Sequence, residues 1–132
     1  MDRDPREHFE AIIALARARL TEARVVQNDV TASRAILLVL GKFQSWDVRI
    51  KEIRAPSGNL YSYYLLRSGE VIVGFDNYSD ARILEAKFGR QFKQHLRDLI
   101  PHRHGRGKKS VVITPELSAK EFLENLERYL ET

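Results

Sequence analysis

Apolar positions recur at helical spacing from Pro5 to about Gln27. Phe9, Ile12, Ile13, Ala16, Leu20 and Ala23 fall on one face, and Arg6, Arg17, Arg19 and Arg24 lie mostly elsewhere. Asp4, Pro5 and Glu7 suit N-cap, N1 and N3, so the pattern predicts an N-terminal helix over 5–27. NDVTAS (28–33) is a polar connector. The period then changes. Ala35 to Gly41 is an apolar run rich in branched residues. Trp46 to Arg54 alternates, with Trp46, Val48, Ile50 and Glu52 set against Asp47, Arg49, Lys51 and Ile53. Turn chemistry follows in APSGN (55–59).

Leu60 to Arg67 and Glu70 to Phe75 are joined by Ser68-Gly69, a hairpin signal with Arg67 facing Glu70 across the turn. Short connections between successive strands predict an antiparallel meander of about four. A helix over Asp80 to Ile100 is predicted next, capped by Ser79, with Leu84, Phe88, Phe92, His95 or Leu96, and Leu99 as its stripe and Pro101 as its stop. Ser110 to Thr114 reads as a fifth strand. Ser118 and Glu121 form a capping box for a last helix to about Tyr129. The predicted class is α+β: a mainly antiparallel sheet of about five strands with three helices, in one domain over 1–132. The N-terminal helix reads as an added element, and a homodimer would form through it.

Composition narrows the function. The 132 residues contain no cysteine, which removes thiolate metal sites, disulfides and cysteine nucleophiles together. The longest apolar run, AILLVLG, is far short of the roughly 18 residues a membrane-crossing helix needs. MDRDPREHFE is too charged for a secretory signal. A cytoplasmic location without membrane contact is therefore expected, and no cofactor is.

The formal net charge is +4. All of it falls between Asp98 and Glu116, where Arg103, Arg106, Lys108 and Lys109 meet no acidic residue. PHRHGRGKK (101–109) also holds two of the four histidines. Cleavage of RNA through its 2′-hydroxyl needs an acid, a base and positive charge for the phosphorane. His102 and His104 are candidate catalysts, with the four cations as phosphate ligands. Gly105 and Gly107 would let backbone amides approach an anion. If extended, the two histidines point to one side. They would then suit a metal only with a third ligand from Asp76, His95 or His8. The plainer reading is a solvated basic loop.

Asp76-Asn77 closes a strand, where turn chemistry is common. Its sharper use is Asp76 as the carboxylate orienting a histidine. A helix of about 20 residues spans roughly 30 Å, so Asp76 meets His102 only if the sheet folds them together. In LYSYYLL, Tyr61 and Tyr63 share one sheet face and Tyr64 takes the other; Tyr63 is kept as a site candidate. His95, near the apolar face of its helix, reads as a core histidine.

Tyr61-Ser62-Tyr63, Phe75-Asp76-Asn77, His102-Arg103-His104 and the closing PELSAKEFLENL together resemble the TumE-type toxin family of type II toxin–antitoxin systems, over about residues 33 to 130. The resemblance implies a growth-inhibiting toxin neutralised by a cognate antitoxin and acting on RNA or translation. It carries its site to Tyr63, Asp76, Asn77, His102 and His104. From another class, a non-enzymatic module could hold nucleic acid or an acidic partner on the basic loop.

Overall fold

The computed structural model describes residues 4–130. It is α+β, with an N-terminal helix and one antiparallel sheet. Helix α1 (Pro5–Arg19) begins as the sequence predicts: the Asp4 side chain accepts from the Arg6 amide and Pro5 fills the first turn. It ends earlier. Leu20 is extended, Glu22 has φ 53°, and Thr21–Val30 forms strand β1 against β2 (Ala35–Phe43). The helical spacing extended to Ala23 because Leu20 and Ala23 meet the core from either conformation. The β-branched content of the next residues and pairing with β2 decide in favour of strand.

Strands β3 (Trp46–Ala55), β4 (Gly58–Arg67) and β5 (Glu70–Asp76) continue the meander. Ser68 and Gly69 both have positive φ, the primed turn that a two-residue hairpin favours, and Arg67 pairs with Glu70 across it. Then the prediction of a helix over 80–100 fails. Helix α2 (Ala81–Phe88) stops at Gly89, whose φ is 60°, and a 3-10 segment follows (Gly89–His95). Leu96 and Leu99 are exposed instead of lining a stripe. Asp80, not Ser79, caps α2; the Ser79 hydroxyl donates to the Leu96 carbonyl 3.0 Å away.

The basic stretch is not all loop. His102–His104 is strand β6, paired with Gly74–Asp76 of β5, and Val111–Ile113 is β7. The sheet therefore has seven strands, in sequential order β1 to β7, rather than about five. The last helix starts on the predicted capping box but breaks at Asn125 into α3 (Ala119–Glu124) and α4 (Leu126–Tyr129).

The two sheet faces differ. On one, Phe9, Ile12, Ile13 and Ala16 of α1 and Phe122, Leu123 and Leu126 of α3 and α4 cover Leu37, Ile50, Tyr63, Leu65 and Phe75. On the other, α2 covers only the β6–β7 end, in a small cluster of Ile83, Leu84 and Ile100 with Val111 at its margin. Beyond that cluster the second face is open. Among the described residues, no helix is long and apolar enough to cross a membrane.

Candidate functional site

Register assembles the site. Asp76 pairs with Ser62 on one side and His102 on the other, and Gly74 pairs with Tyr64 and His104. Paired residues in a pleated sheet share a face. Ser62, Tyr64, Asp76, His102 and His104 therefore all stand on the open face. The separation of 26 positions between Asp76 and His102 is closed because the chain leaves at β5 and returns beside it as β6. Gly74 is required here. A Cβ on it would lie 2.8 Å from the Tyr64 ring, which crosses β5 to reach Asp76.

Asp76 is buried and engaged on both oxygens. The Tyr78 amide donates to Oδ1 at 2.9 Å and the Tyr64 hydroxyl to Oδ2 at 2.6 Å. Nε2 of His102 lies 2.9 Å from Oδ1, and Nε2 of His104 lies 3.1 Å from Oδ2. The imidazoles are nearly perpendicular, with centroids 4.8 Å apart. His102 Nδ1 is 2.7 Å from the Ile100 carbonyl, so that nitrogen carries the proton and donates. No well-aligned hydrogen bond forms at His102 Nε2 despite its short approach to Asp76, and the buried His104 Nδ1 has no partner.

Electrostatics separates the two histidines. Burial works against charge on His102, but Asp76 and the Ile100 carbonyl outweigh it and its pKa is raised. Burial lowers that of His104; Asp76 opposes this, while His102 and Lys108 add to the lowering. Burial would raise the pKa of Asp76, yet the close approach and positive charge of the His102 ring, with hydrogen bonds from the Tyr64 hydroxyl and the Tyr78 amide, hold it below the usual carboxylate range.

A cleft of about 290 Å³ opens over this centre. Its walls include Arg49 and Lys51 from β3, Arg82 from α2 and Lys108. The Lys108 ammonium sits 4.9 Å from the Tyr64 ring centroid, and Arg82 donates to the Lys108 carbonyl at 3.0 Å, tying α2 to this turn. Arg49 also lines a neighbouring groove of about 500 Å³ of mixed charge, with Arg24, Lys42, Glu22 and Asp47.

Of the residues singled out in the sequence, Asp76, His102, His104 and Lys108 meet in the cleft. Tyr63 does not: it faces the helices and donates to Glu52 at 2.6 Å. Arg103 alternates to that same face, over the rings of Phe75 and Tyr129. Arg106 lies beside Glu70, and Lys109 is exposed outside the cleft wall. Asn77 is structural: its side chain accepts from the Tyr61 amide at 2.9 Å and donates to the Asn59 carbonyl at 2.8 Å. His95 stacks on Phe88 and pairs with Asp98, away from the core. His8 pairs with Glu52. Tyr64, Arg49, Lys51 and Arg82 were not singled out. Strand alternation carried a signal for the first three, since Arg49, Lys51 and Tyr64 occupy the non-core phase of β3 and β4.

Compared with known proteins, the chain matches no family model, no curated protein and no solved structure.

Proposed function

We propose that this chain is a toxin-like protein acting on RNA, with the cleft over Asp76, His102 and His104 as its centre and a cognate antitoxin as its partner. One observation carries the reading: a buried carboxylate and two imidazoles on adjacent strands form the floor of an open cleft whose walls include Arg49, Lys51, Lys108 and Arg82, the last paired with Asp80. Guanidinium forks and ammonium groups fit phosphate, and a cleft rimmed by them raises the local concentration of a polyanion. Asp76, engaged on both oxygens, holds the two imidazoles in place. The neighbouring groove, where Arg24, Lys42 and Arg49 stand among Glu22 and Asp47, continues the cleft along the sheet and leaves room for a strand longer than one phosphate. The cytoplasm is the compartment this reading requires.

The test is growth of a bacterial host after induction of the protein, beside the His102→Ala/His104→Ala variant at equal expression, followed by RNA on a gel. Arrest by the parent alone, with RNA shortened, supports the reading. Absence of arrest by a folded, expressed parent overturns it. A second reading has its own support, since both nitrogens of His102 already have neighbours within the protein: the cleft binds RNA without turnover. RNA is then shifted on the gel but never shortened, and the shift fades steeply with salt.

A further inference from the structure

Asp76, His102 and His104 are the one group among the described residues whose carboxylate and imidazole donor atoms all lie within 4.8 Å of one another, and all three are buried. The tautomer of His102 sets a problem that the protein side chains alone leave open. Its Nδ1 proton goes to the Ile100 carbonyl. A neutral ring then presents the bare lone pair of Nε2 to a carboxylate oxygen 2.9 Å away. Two electron-rich atoms held that close in a buried site require a cation. A second proton on the ring is one answer, which the charge of Asp76 favours, but Nε2 lacks the alignment of a hydrogen-bond donor toward any partner; a metal ion in place of that proton is the other. The second observation is independent: Nδ1 of His104 is buried with no partner although its ring is only 4% exposed.

We propose that Asp76, His102 through Nε2 and one ring nitrogen of His104 bind a single divalent transition-metal ion, zinc by preference, with an open position toward the cleft. Zinc takes imidazole and carboxylate ligands at about 2.0–2.2 Å, and three protein ligands with one position left for water or substrate is its catalytic pattern. The surroundings match what such ligands need. A backbone carbonyl orients His102, and the Tyr64 hydroxyl and Tyr78 amide fix the carboxylate. The ligands stand on neighbouring strands, β5 and β6, so the sheet ladder sets their spacing. In the RNA reading the open position would take a phosphate oxygen, in the cleft that Lys51 and Arg82 help to line. The inference uses that reading only for what enters the open position.

The experiment uses the full chain, stripped with chelator, and no RNA. Zn²⁺ is titrated by calorimetry and Co²⁺ by visible absorption, with the thermal midpoint followed in parallel. One ion per chain, the intensified visible bands of four-coordinate cobalt and a raised midpoint are expected. Asp76→Asn, close in shape, and His104→Ala are each expected to weaken binding by about a hundredfold or more, and His8→Ala to leave it unchanged. Three results overturn the proposal: a folded parent that binds no ion, binding that survives in Asp76→Asn, and a ring proton on His102 Nε2 by nitrogen NMR in zinc-saturated protein. Should His104→Ala unfold, Asp76→Asn and the NMR spectrum decide. Metal binding without growth arrest would sink the RNA reading and leave the site. Arrest without metal binding would do the reverse.

Discussion

Tyr63 and Tyr64 are neighbours on β4 that point to opposite faces, and each donates to a buried carboxylate at 2.6 Å: Glu52 on the helix side, Asp76 on the open side. Each carboxylate also meets histidine, Glu52 through His8 at 2.7 Å and Asp76 through His102 and His104. The ingredients are nearly the same, but the settings differ. The space beside Glu52 is lined by two further acids, Glu116 and Glu121, against one cation, Arg54, and its histidine is partly exposed on a helix. The space over Asp76 is lined by four cations against one further acid, Asp80, and its two histidines are locked into a strand. A Tyr–carboxylate–His set is thus no signature in itself. The count of converging donors and the sign of the surrounding charge separate a structural knot from a site.

The strongest break of this comparison is functional. If the cleft cleaves RNA as proposed, His102→Ala with His104→Ala should lower that activity by about a hundredfold or more, measured as RNA shortened per unit time. His8→Ala on the other face should leave it unchanged. Equal losses would mean that the faces do not differ in role.

Stability should rank the two carboxylates. Asp76→Ala leaves the buried Tyr64 hydroxyl without its acceptor and two buried imidazoles without the carboxylate between them, and should cost about 3–5 kcal/mol in denaturant unfolding. Glu52→Ala strands only the Tyr63 hydroxyl inside, for about 1–3 kcal/mol. Gly74→Ala comes next. Its Cβ would displace the Tyr64 ring, costing about 1–3 kcal/mol and loosening the Tyr64–Asp76 hydrogen bond, while the Tyr63–Glu52 bond stays intact. A crystal structure of that variant with Tyr64 unmoved would rule this out. The smallest effect separates two cations of the same stretch. Lys108→Ala should reduce the slope of log RNA affinity against log salt by about one unit, and Arg103→Ala should leave it unchanged. Arg103→Ala should instead cost at most about 1 kcal/mol from its place over Phe75 and Tyr129.

Local chemistry was legible where one period ruled. The cap of α1, the Ser68-Gly69 turn, strands β2 to β5 and the capping box at Ser118 all follow from neighbours within a few positions. Misreadings arose where two conformations served the same apolar residues. Leu20 and Ala23 touch the core from a strand as well as from a helix, and Phe88 and Phe92 pack although Gly89 breaks the helix between them. Asp76, His102 and His104 were singled out by residue type, and their same-sided spacing was correct for a strand. Their meeting was not legible, because it depends on β6 pairing with β5 after a 26-position excursion. The same gap hid the cleft walls. Arg103 counts as part of a cationic run along the chain, but the strand period turns it away from both histidines. Arg49 and Lys51 lie far off in sequence and stand on the correct face.

The sequential strand order has a consequence for how the protein matures. In a meander each strand finds its partner next along the chain, so pairing can advance hairpin by hairpin at low entropic cost. During synthesis the first five strands can pair while residues after Asp76 are still being added. At that stage the open face carries Tyr64 and Asp76 but neither imidazole, and the opposite face still lacks Phe122, Leu123 and Leu126. The chemistry of the molecule and the lid on its core arrive together, in the final third of the chain. The cleft over Asp76 and the cover of the core are therefore both incomplete until the last strands and helices dock.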